Sequence, residues 1–178
     1  MKTSIYIATS LDGFIARENG DLDWLPVPNG GNDGDYGYAA FLSTVDFIVM
    51  SRHTFEKART FGDWPYRQKR VVVLASQPVN IPADLSESIE WMSCSPAEIV
   101  SQLAGRGARH LYIDGGKTIQ RFLKSGIIER LIITRVPVLI GRGIPLFGSM
   151  QRDIRLRHVS TRSFESGLVQ SEYEVATV

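Results

Sequence analysis

The stretch His110–Thr118, HLYIDGGKT, decides the fold of this chain. Its first four residues are typical of a short buried strand, and Gly115 and Gly116 follow almost at once. The segment Lys117–Lys124 then carries apolar residues at helical spacing. Glycine allows a sharp turn and lets a ligand approach the backbone, and the first turn of a helix offers N–H groups to an anion. The stretch therefore predicts a strand, a Gly-Gly turn and a helix. The turn either binds a phosphate group or contains glycine only because its backbone conformation requires it.

Two earlier segments repeat this arrangement. Val45–Met50 and Arg70–Ala75 are continuous apolar runs, as expected for parallel strands buried on both faces. The first run leads into a helix start that contains Arg52, and the second leads to Ser76. A cation at a helix start is unfavourable unless an anion lies beside it, although a solvated arginine remains the alternative. In open α/β sheets, ligands bind at the carboxyl ends of the strands. Arg52, Ser76 and Lys117 are therefore candidates for one phosphate site.

The remaining segments complete a mixed α/β pattern. Ser95 with Pro96 and Glu98 forms a capping box that predicts a helix ending near Gly105. Further strands are predicted at Ser4–Thr9, Ser88–Ser93, Leu131–Ile140, Ile154–Phe164 and Leu168–Val178. A loop is predicted over Arg17–Asp35, and a short helix over Tyr36–Leu42 with Asp35 as its N-cap. Alternating strands and helices, followed by strands alone, predict a mostly parallel sheet with an antiparallel C-terminal pair. We expect one domain over residues 1–178.

Composition excludes several classes of protein. The chain has 178 residues, of which 43% are hydrophobic and 22% charged, so it is neither a disordered chain nor a small disulfide scaffold. The chain has 20 Lys and Arg residues and 19 Asp and Glu residues, so its net charge is 20 − 19 = +1. This balance gives no reason to expect nucleic acid or a membrane as partner. The single cysteine, Cys94, fits a reduced cytoplasmic setting. The three histidines of the chain are scattered along the sequence, so no metal site is expected. The expected partner is a small-molecule substrate.

Several segments resemble known reductases. Met50–Glu56 (MSRHTFE), Val72–Pro78 (VVLASQP) and Tyr112–Gly116 (YIDGG) resemble cofactor-binding segments of dihydrofolate reductases. Ile7–Ala16 (IATSLDGFIA) and Leu131–Gly141 (LIITRVPVLIG) are more similar to a sister branch. That branch is the reductase domain of the bifunctional riboflavin-biosynthesis deaminase–reductase, called the RibD C-terminal domain, with its stand-alone relatives. The resemblance covers nearly the whole chain in order.

The resemblance implies a dihydrofolate-reductase-like three-layer α/β sandwich with NADPH as cofactor. It implies a hydride transfer to a small heterocyclic or ribosylamino-pyrimidine substrate, as in 5-amino-6-(5-phosphoribosylamino)uracil reductase. Arg52, Ser76 and Lys117 match positions that bind the adenosine 2′-phosphate. The other positions that match cofactor contacts are His53, Thr54, Gly115, Gly116 and Thr118 at the pyrophosphate, and Ala8 and Ile15 beside the nicotinamide.

The substrate side is less defined than the cofactor side. The segment from Asp12 to Trp24 matches a mobile loop, and Trp24 either touches the substrate or packs beneath that loop. Asp12, Asp35 or a bound water is expected to supply the proton. Asp33 or Asp35 would have to bind the pteridine ring if the chain were a dihydrofolate reductase.

Three further alternatives stay open from the sequence. A non-catalytic NADPH-binding or sensor domain is one. A homodimer through Leu131–Ile140 and the terminal hairpin is another. The third is a substrate-phosphate site formed by the basic residues that follow Thr54, which are Lys57, Arg59, Arg67 and Lys69. The simpler interpretation of these residues is a solvated basic face.

Overall fold

The computed structural model describes residues 1–26, 33–66 and 68–176 of the chain. These residues form two compact units. One comprises Met1–Thr3 and Val45–Ile127, and the other comprises Ser4–Thr44 and Ile128–Val178. The prediction of a single domain stays a prediction. No helix in the described ranges has the length and apolar character needed to span a membrane.

The elements follow one another in the order that the sequence predicts, with two short additions. The strands are β1 (Lys2–Ser10), β2 (Phe14–Ala16), β3 (Phe47–Ser51), β4 (Arg70–Leu74), β5 (Ile89–Met92), β6 (His110–Ile113), β7 (Arg130–Val136), β8 (Ile144–Pro145), β9 (Leu156–Ser163) and β10 (Val169–Val175). The helices are α1 (Tyr38–Ser43), α2 (Arg52–Ala58), α3 (Pro96–Gly105) and α4 (Gly116–Lys124).

Parallel strands build the unit that contains Val45–Ile127. They lie in the order β5-β4-β3-β6, and each pair in this run is parallel. Val71, Val72 and Val73 of β4 are buried, as expected for a parallel strand that is covered on both faces. Between β5 and β6, the predicted capping box opens α3: the Ser95 hydroxyl accepts from the Glu98 N–H, and the Glu98 carboxylate accepts from the Ser95 N–H.

The other unit combines one parallel pair with antiparallel strands. β1 pairs with β7 in parallel, whereas β10 is antiparallel to both β7 and β9. β2 and β8 form a separate two-stranded antiparallel pair. The fold class predicted from the sequence, a mixed α/β fold with mostly parallel strands and antiparallel C-terminal strands, is confirmed.

Three local predictions need correction. The strand predicted over Leu131–Ile140 ends at Val136, because Pro137 has no N–H to continue the ladder. Helix α1 begins at Tyr38 rather than Tyr36, since Tyr36 and Gly37 have φ angles of 60° and 88°, outside the helical region. The two short strands β2 and β8 were not predicted, because three and two residues are too few to show a periodicity.

Candidate functional site

The strand ends of the parallel unit meet at one edge. Because β3 lies between β4 and β6 and all three are parallel, their carboxyl ends share that edge. The residues that follow are Ser51 with the start of α2, Ala75 with Ser76, and Asp114 with the Gly-Gly turn. The sequence prediction that these segments lie together is therefore correct for this unit.

Gly115 makes the closest approach at this edge. Its φ is 82°, and a Cβ built on it would lie 2.1 Å from the Thr54 Oγ1. The Thr54 hydroxyl is held in turn 3.0 Å from the Ser51 Oγ, which also accepts from the Thr54 N–H. A residue with a side chain cannot occupy position 115 without displacing the Thr54 side chain. The backbone of the Gly-Gly turn thus lies directly against Thr54 and presents the start of α4 at the same edge.

Arg52 lies beside the loop that follows β4. Its Nη2 donates to the carbonyl oxygens of Gln77 (2.6 Å) and Pro78 (3.0 Å). Within the described residues, the other N–H groups of this guanidinium have no protein acceptor, so they remain available to an anion. Ser76 is exposed at the start of the same loop. Arg52 and Ser76 therefore lie on neighbouring segments at this edge, and their joint role in binding a phosphate stays a prediction.

The other predicted cofactor residues in this unit differ in exposure. Lys117 is exposed in the first turn of α4, whereas Gly116 and Thr118 are buried. The His53 side chain is exposed, and its Nδ1 lies 3.9 Å from a Glu56 carboxylate oxygen. Their roles in binding a cofactor stay predictions.

Asp114 is a candidate functional residue that the sequence analysis missed. Its carboxyl accepts from the Gly115 N–H at 2.8 Å and from the Tyr66 hydroxyl at 3.2 Å. Burial raises the pKa of Asp114, against the lowering effect of the hydrogen bonds from Gly115 and from the tyrosines at 66 and 112. The protonated form is thereby favoured immediately before the Gly-Gly turn. An acidic residue at the end of a buried strand was the available signal in the sequence.

Asp12 and Asp35, in the other unit, have their carboxylates bonded to nearby groups. A hydrogen bond from Ser10, together with those from the N–H groups of Ile140 and Gly141, lowers the pKa of Asp12. The Asp35 carboxylate accepts from the N–H groups of Ala39 (2.6 Å) and Gly37 (2.9 Å), and these bonds lower its pKa. The Asp35 carboxylate thus bonds backbone N–H groups at the start of α1, but the N-cap residue is Gly37 and not Asp35 as predicted, because the helix begins two residues later than expected. The catalytic role of either carboxylate stays a prediction.

The remaining predicted residues lie on or near β1 and β2. Ala8 is half-buried on β1, opposite Thr134 of β7, and Ile15 is half-buried on β2. Trp24 is half-buried, and its Nε1 is inaccessible to solvent without a hydrogen-bond acceptor within the described residues. An ion pair between Arg17 and Asp23 (2.6 Å) fixes the segment just before Trp24. The cofactor and substrate roles of these three residues stay predictions.

The basic residues after Thr54 differ in their protein contacts. The Lys69 ammonium donates to the Val45 carbonyl oxygen at 2.8 Å, and the Arg59 guanidinium lies 5.7 Å from the centre of the Phe55 ring. Arg67 lies outside the described residues. A phosphate-binding role for the described members of this group stays a prediction.

The mostly parallel strands with intervening helices, together with the antiparallel C-terminal strands, define an α/β protein of the dihydrofolate-reductase-like class. The chain belongs to the RibD C-terminal domain family, whose sequence pattern it matches over residues 3–170. The family resemblance stated from the sequence is therefore confirmed.

Individual relatives match at least 92% of this chain. The protein YwjB of Bacillus subtilis (strain 168) is 34% identical over 165 residues, which is 92% of each chain. A crystal structure of a protein from Shewanella sp. PV-4 has a TM-score of 0.93 and 36% identity, covering 99% of this chain and 100% of that one. A third is the diaminohydroxyphosphoribosylaminopyrimidine deaminase/5-amino-6-(5-phosphoribosylamino)uracil reductase of Thermotoga maritima. Its TM-score is 0.76 at 16% identity, covering 98% of this chain and 56% of that one, and it shows the shared fold.

Gly115→Ala should destabilise the protein more than an ordinary glycine replacement. An alanine at positive φ costs about 1–3 kcal/mol, and the overlap with Thr54 adds about 1–3 kcal/mol. Gly107→Ala is the matched control, since Gly107 also has positive φ but no atom within 4 Å of the added Cβ. The free energy of unfolding in urea gives both values. Equal losses in the two variants would show that the contact with Thr54 is unimportant.

Asp114→Asn should become more stable relative to the wild type as the pH rises. Because burial raises the pKa of Asp114, its stabilising contribution is complete below the unfolded value of about 3.9 and is lost as the pH rises through the folded value. Asparagine stays neutral throughout. Asp12→Asn is the control, and its stability difference from the wild type should change with pH in the opposite direction. The lowered pKa of Asp12 gives a stabilising contribution that is present above the pKa of the unfolded state and is lost as the pH falls through the folded pKa. Urea unfolding from about pH 2 to pH 8 measures both differences, that of Asp12 at the acid end and that of Asp114 above about pH 4. A difference for Asp114→Asn that does not change with pH contradicts the raised pKa of this carboxyl.

Proposed function

We propose that this protein is an NADPH-dependent oxidoreductase that reduces a small heterocyclic or ribosylamino-pyrimidine substrate. Membership of the RibD C-terminal domain family supports a reductase related to the pyrimidine reductase of riboflavin biosynthesis. The observation that carries the proposal is the packing of Gly115 against Thr54, because it brings the starts of α2 and α4 together at one edge of the parallel strands. Backbone N–H groups in the first turn of a helix suit a pyrophosphate.

The residues at the strand ends fit the two charged parts of such a cofactor. The Gly-Gly turn and the first turn of α4 would hold the pyrophosphate. Arg52, Ser76 and Lys117 would hold the 2′-phosphate, for which a guanidinium with unused N–H groups supplies charge and directed hydrogen bonds. The family resemblance assigns Ala8 and Ile15 to the nicotinamide. When bound, NADPH supplies the hydride, and the protein supplies orientation and electrostatics.

Asp114 is a better candidate for the proton donor than the two carboxyls named from the sequence. A carboxyl becomes a better proton donor as its pKa rises toward the working pH, and burial raises the pKa of Asp114. The lowered pKa values of Asp12 and Asp35 favour their ionised forms. The Tyr66 hydroxyl donates to Asp114 and keeps the carboxyl in place next to the Gly-Gly turn.

A dihydrofolate reductase activity has less support. It would need a carboxylate near Asp35 to bind the pteridine ring. The Asp35 carboxylate already accepts from two backbone N–H groups at the start of α1, and that of Asp33 accepts from the N–H groups of Glu165 and Ser166.

Titration with NADPH and NADH tests the proposal directly. Wild type should bind NADPH with micromolar affinity and NADH more weakly. Loss of a hydrogen bond to a charged group is worth about 1.5–3 kcal/mol, so Arg52→Ala should weaken NADPH binding roughly tenfold or more. Its NADH affinity should stay the same, because NADH lacks the 2′-phosphate.

Arg121→Ala is the matched control, because Arg121 is exposed in the last turn of α4, away from the strand ends. It should bind NADPH as the wild type does. Absence of binding by either nucleotide would contradict the proposed function, and equal losses in both variants would remove Arg52 from the site.

A further inference from the structure

A cavity lies entirely in the unit that contains β1, β7, β9 and β10. Its volume is about 540 Å³, within the roughly 300–1,000 Å³ that small-molecule sites occupy. Residues of α1 form one side, and residues of the four strands form the other. The lining residues are Tyr6, Gly37, Ala40, Phe41, Thr44, Arg130, Ile132, Ser160, Arg162, Gln170 and Glu172.

The strand register explains why these side chains share one face. Across the four strands, the first row is Tyr6, Ile132, Glu172 and Ser160. The next row is Ala8, Thr134, Gln170 and Arg162. Residues that lie opposite each other on paired strands point to the same side of the sheet. The cavity is therefore built by the sheet itself rather than by a surface loop.

A buried glutamine fixes one of the cationic groups. Gln170 is only 5% exposed. Its Nε2 lies 2.9 Å from both the Tyr6 hydroxyl oxygen and the Thr134 Oγ1 and donates to them. The amide is thereby oriented, and its Oε1 accepts from the Arg162 Nη2 at 2.8 Å. The Tyr6 hydroxyl donates its own proton to the Tyr36 carbonyl oxygen at 2.7 Å, so the network is consistent in direction. Arg162 is held at the rim by buried polar groups.

The cavity has more donors and more positive charge than the described residues neutralise. Arg130 donates through Nε to the Glu172 carboxylate at 2.6 Å, and the Arg130 side chain is only 23% exposed. Arg162 donates to the neutral amide of Gln170 and has no carboxylate partner within the described residues. The lining thus carries two guanidinium groups and one carboxylate. Most of their N–H groups, and the Ser160 hydroxyl, have no protein acceptor in the part of the chain that the structure describes. A ligand with oxyanion acceptors suits this lining.

The rest of the lining suits a flat organic group. Phe41 and Ile132 are buried, and the rings of Tyr6 and Phe41 lie 4.9 Å apart between centroids. Ala40 adds a small side chain on α1. An aromatic or heterocyclic ring can pack against this wall while its anionic substituent reaches the arginines.

We propose that this cavity binds a small planar molecule through a carboxylate or phosphate group, with Arg162 and Arg130 as the anion-binding residues. Arg162 and Ala8 lie in the same row of the sheet, and Ala8 is the residue that the family resemblance places beside the nicotinamide. The bound molecule is therefore the substrate, an identification that rests on the proposed function. Binding itself does not depend on it.

Three matched probes test this site without nucleotide: benzoate, phenyl phosphate and neutral benzamide. Calorimetric titration of the wild type should show saturable binding of at least one anion and at least tenfold weaker binding of benzamide. The stronger anion identifies the substituent. Arg162→Gln should weaken that binding at least tenfold. Arg157→Gln, on the same strand but paired with Glu174 at the exposed surface, should leave it unchanged.

Other results would overturn the proposal. No saturable binding of either anion would show that the cavity is not a ligand site. Equal binding of benzamide, or unchanged binding in Arg162→Gln, would remove the arginine from it. NADPH titration of Arg162→Gln keeps the two proposals apart, because the nucleotide affinity should equal that of the wild type. If the wild type binds the anion but not NADPH, the proposed function fails and the anion site stands.

Discussion

The absence of a side chain at Gly115 is the constraint on which the candidate cofactor site depends. A single Cβ there would lie 2.1 Å from the Thr54 Oγ1, so the start of α4 and the first turn of α2 can lie this close only with glycine. The hydrogen bond between Ser51 and Thr54 fixes the other side of the contact. Parallel pairing of β3 with β6 brings the two segments to the same edge. Steric exclusion at one position therefore allows the starts of the two helices to meet at the edge where the proposed cofactor would bind.

The two units divide the charged groups in different ways. In the parallel unit, cationic and hydroxyl groups follow the strand ends, and burial raises the pKa of the Asp114 carboxyl. In the other unit, the carboxylates of Asp12, Asp33 and Asp35 accept from backbone N–H groups and stabilise loops and a helix start. Arg162 and Arg130 line the cavity beside α1, where a single carboxylate, that of Glu172, lies with them. The surroundings of each charged group, and not the residue type alone, therefore distinguish the two sets.

Sequence patterns predicted the features that depend on neighbouring residues. The Ser95 capping box, the Ser51 cap and the Gly-Gly turn each lie within a few positions, and each is found in the structure. The pairs that were missed are distant in the chain. Tyr66 and Asp114 are 48 positions apart, and Tyr6 and Gln170 are 164 apart. Their contacts depend on tertiary packing, which no periodicity encodes. The early end of β7 at Val136 was missed for another reason, since the apolar run continues past Pro137 although the hydrogen-bond ladder cannot.

The central claim is that the carboxyl ends of β3, β4 and β6 bind a dinucleotide. Backbone amide chemical shifts, recorded by NMR during titration with NADPH, test it most directly. The account predicts that the largest shifts fall on Ser76, Gly115, Gly116, Lys117 and Thr118 and that they saturate together. Saturable shifts confined to other residues, or no shifts at millimolar NADPH, would contradict it.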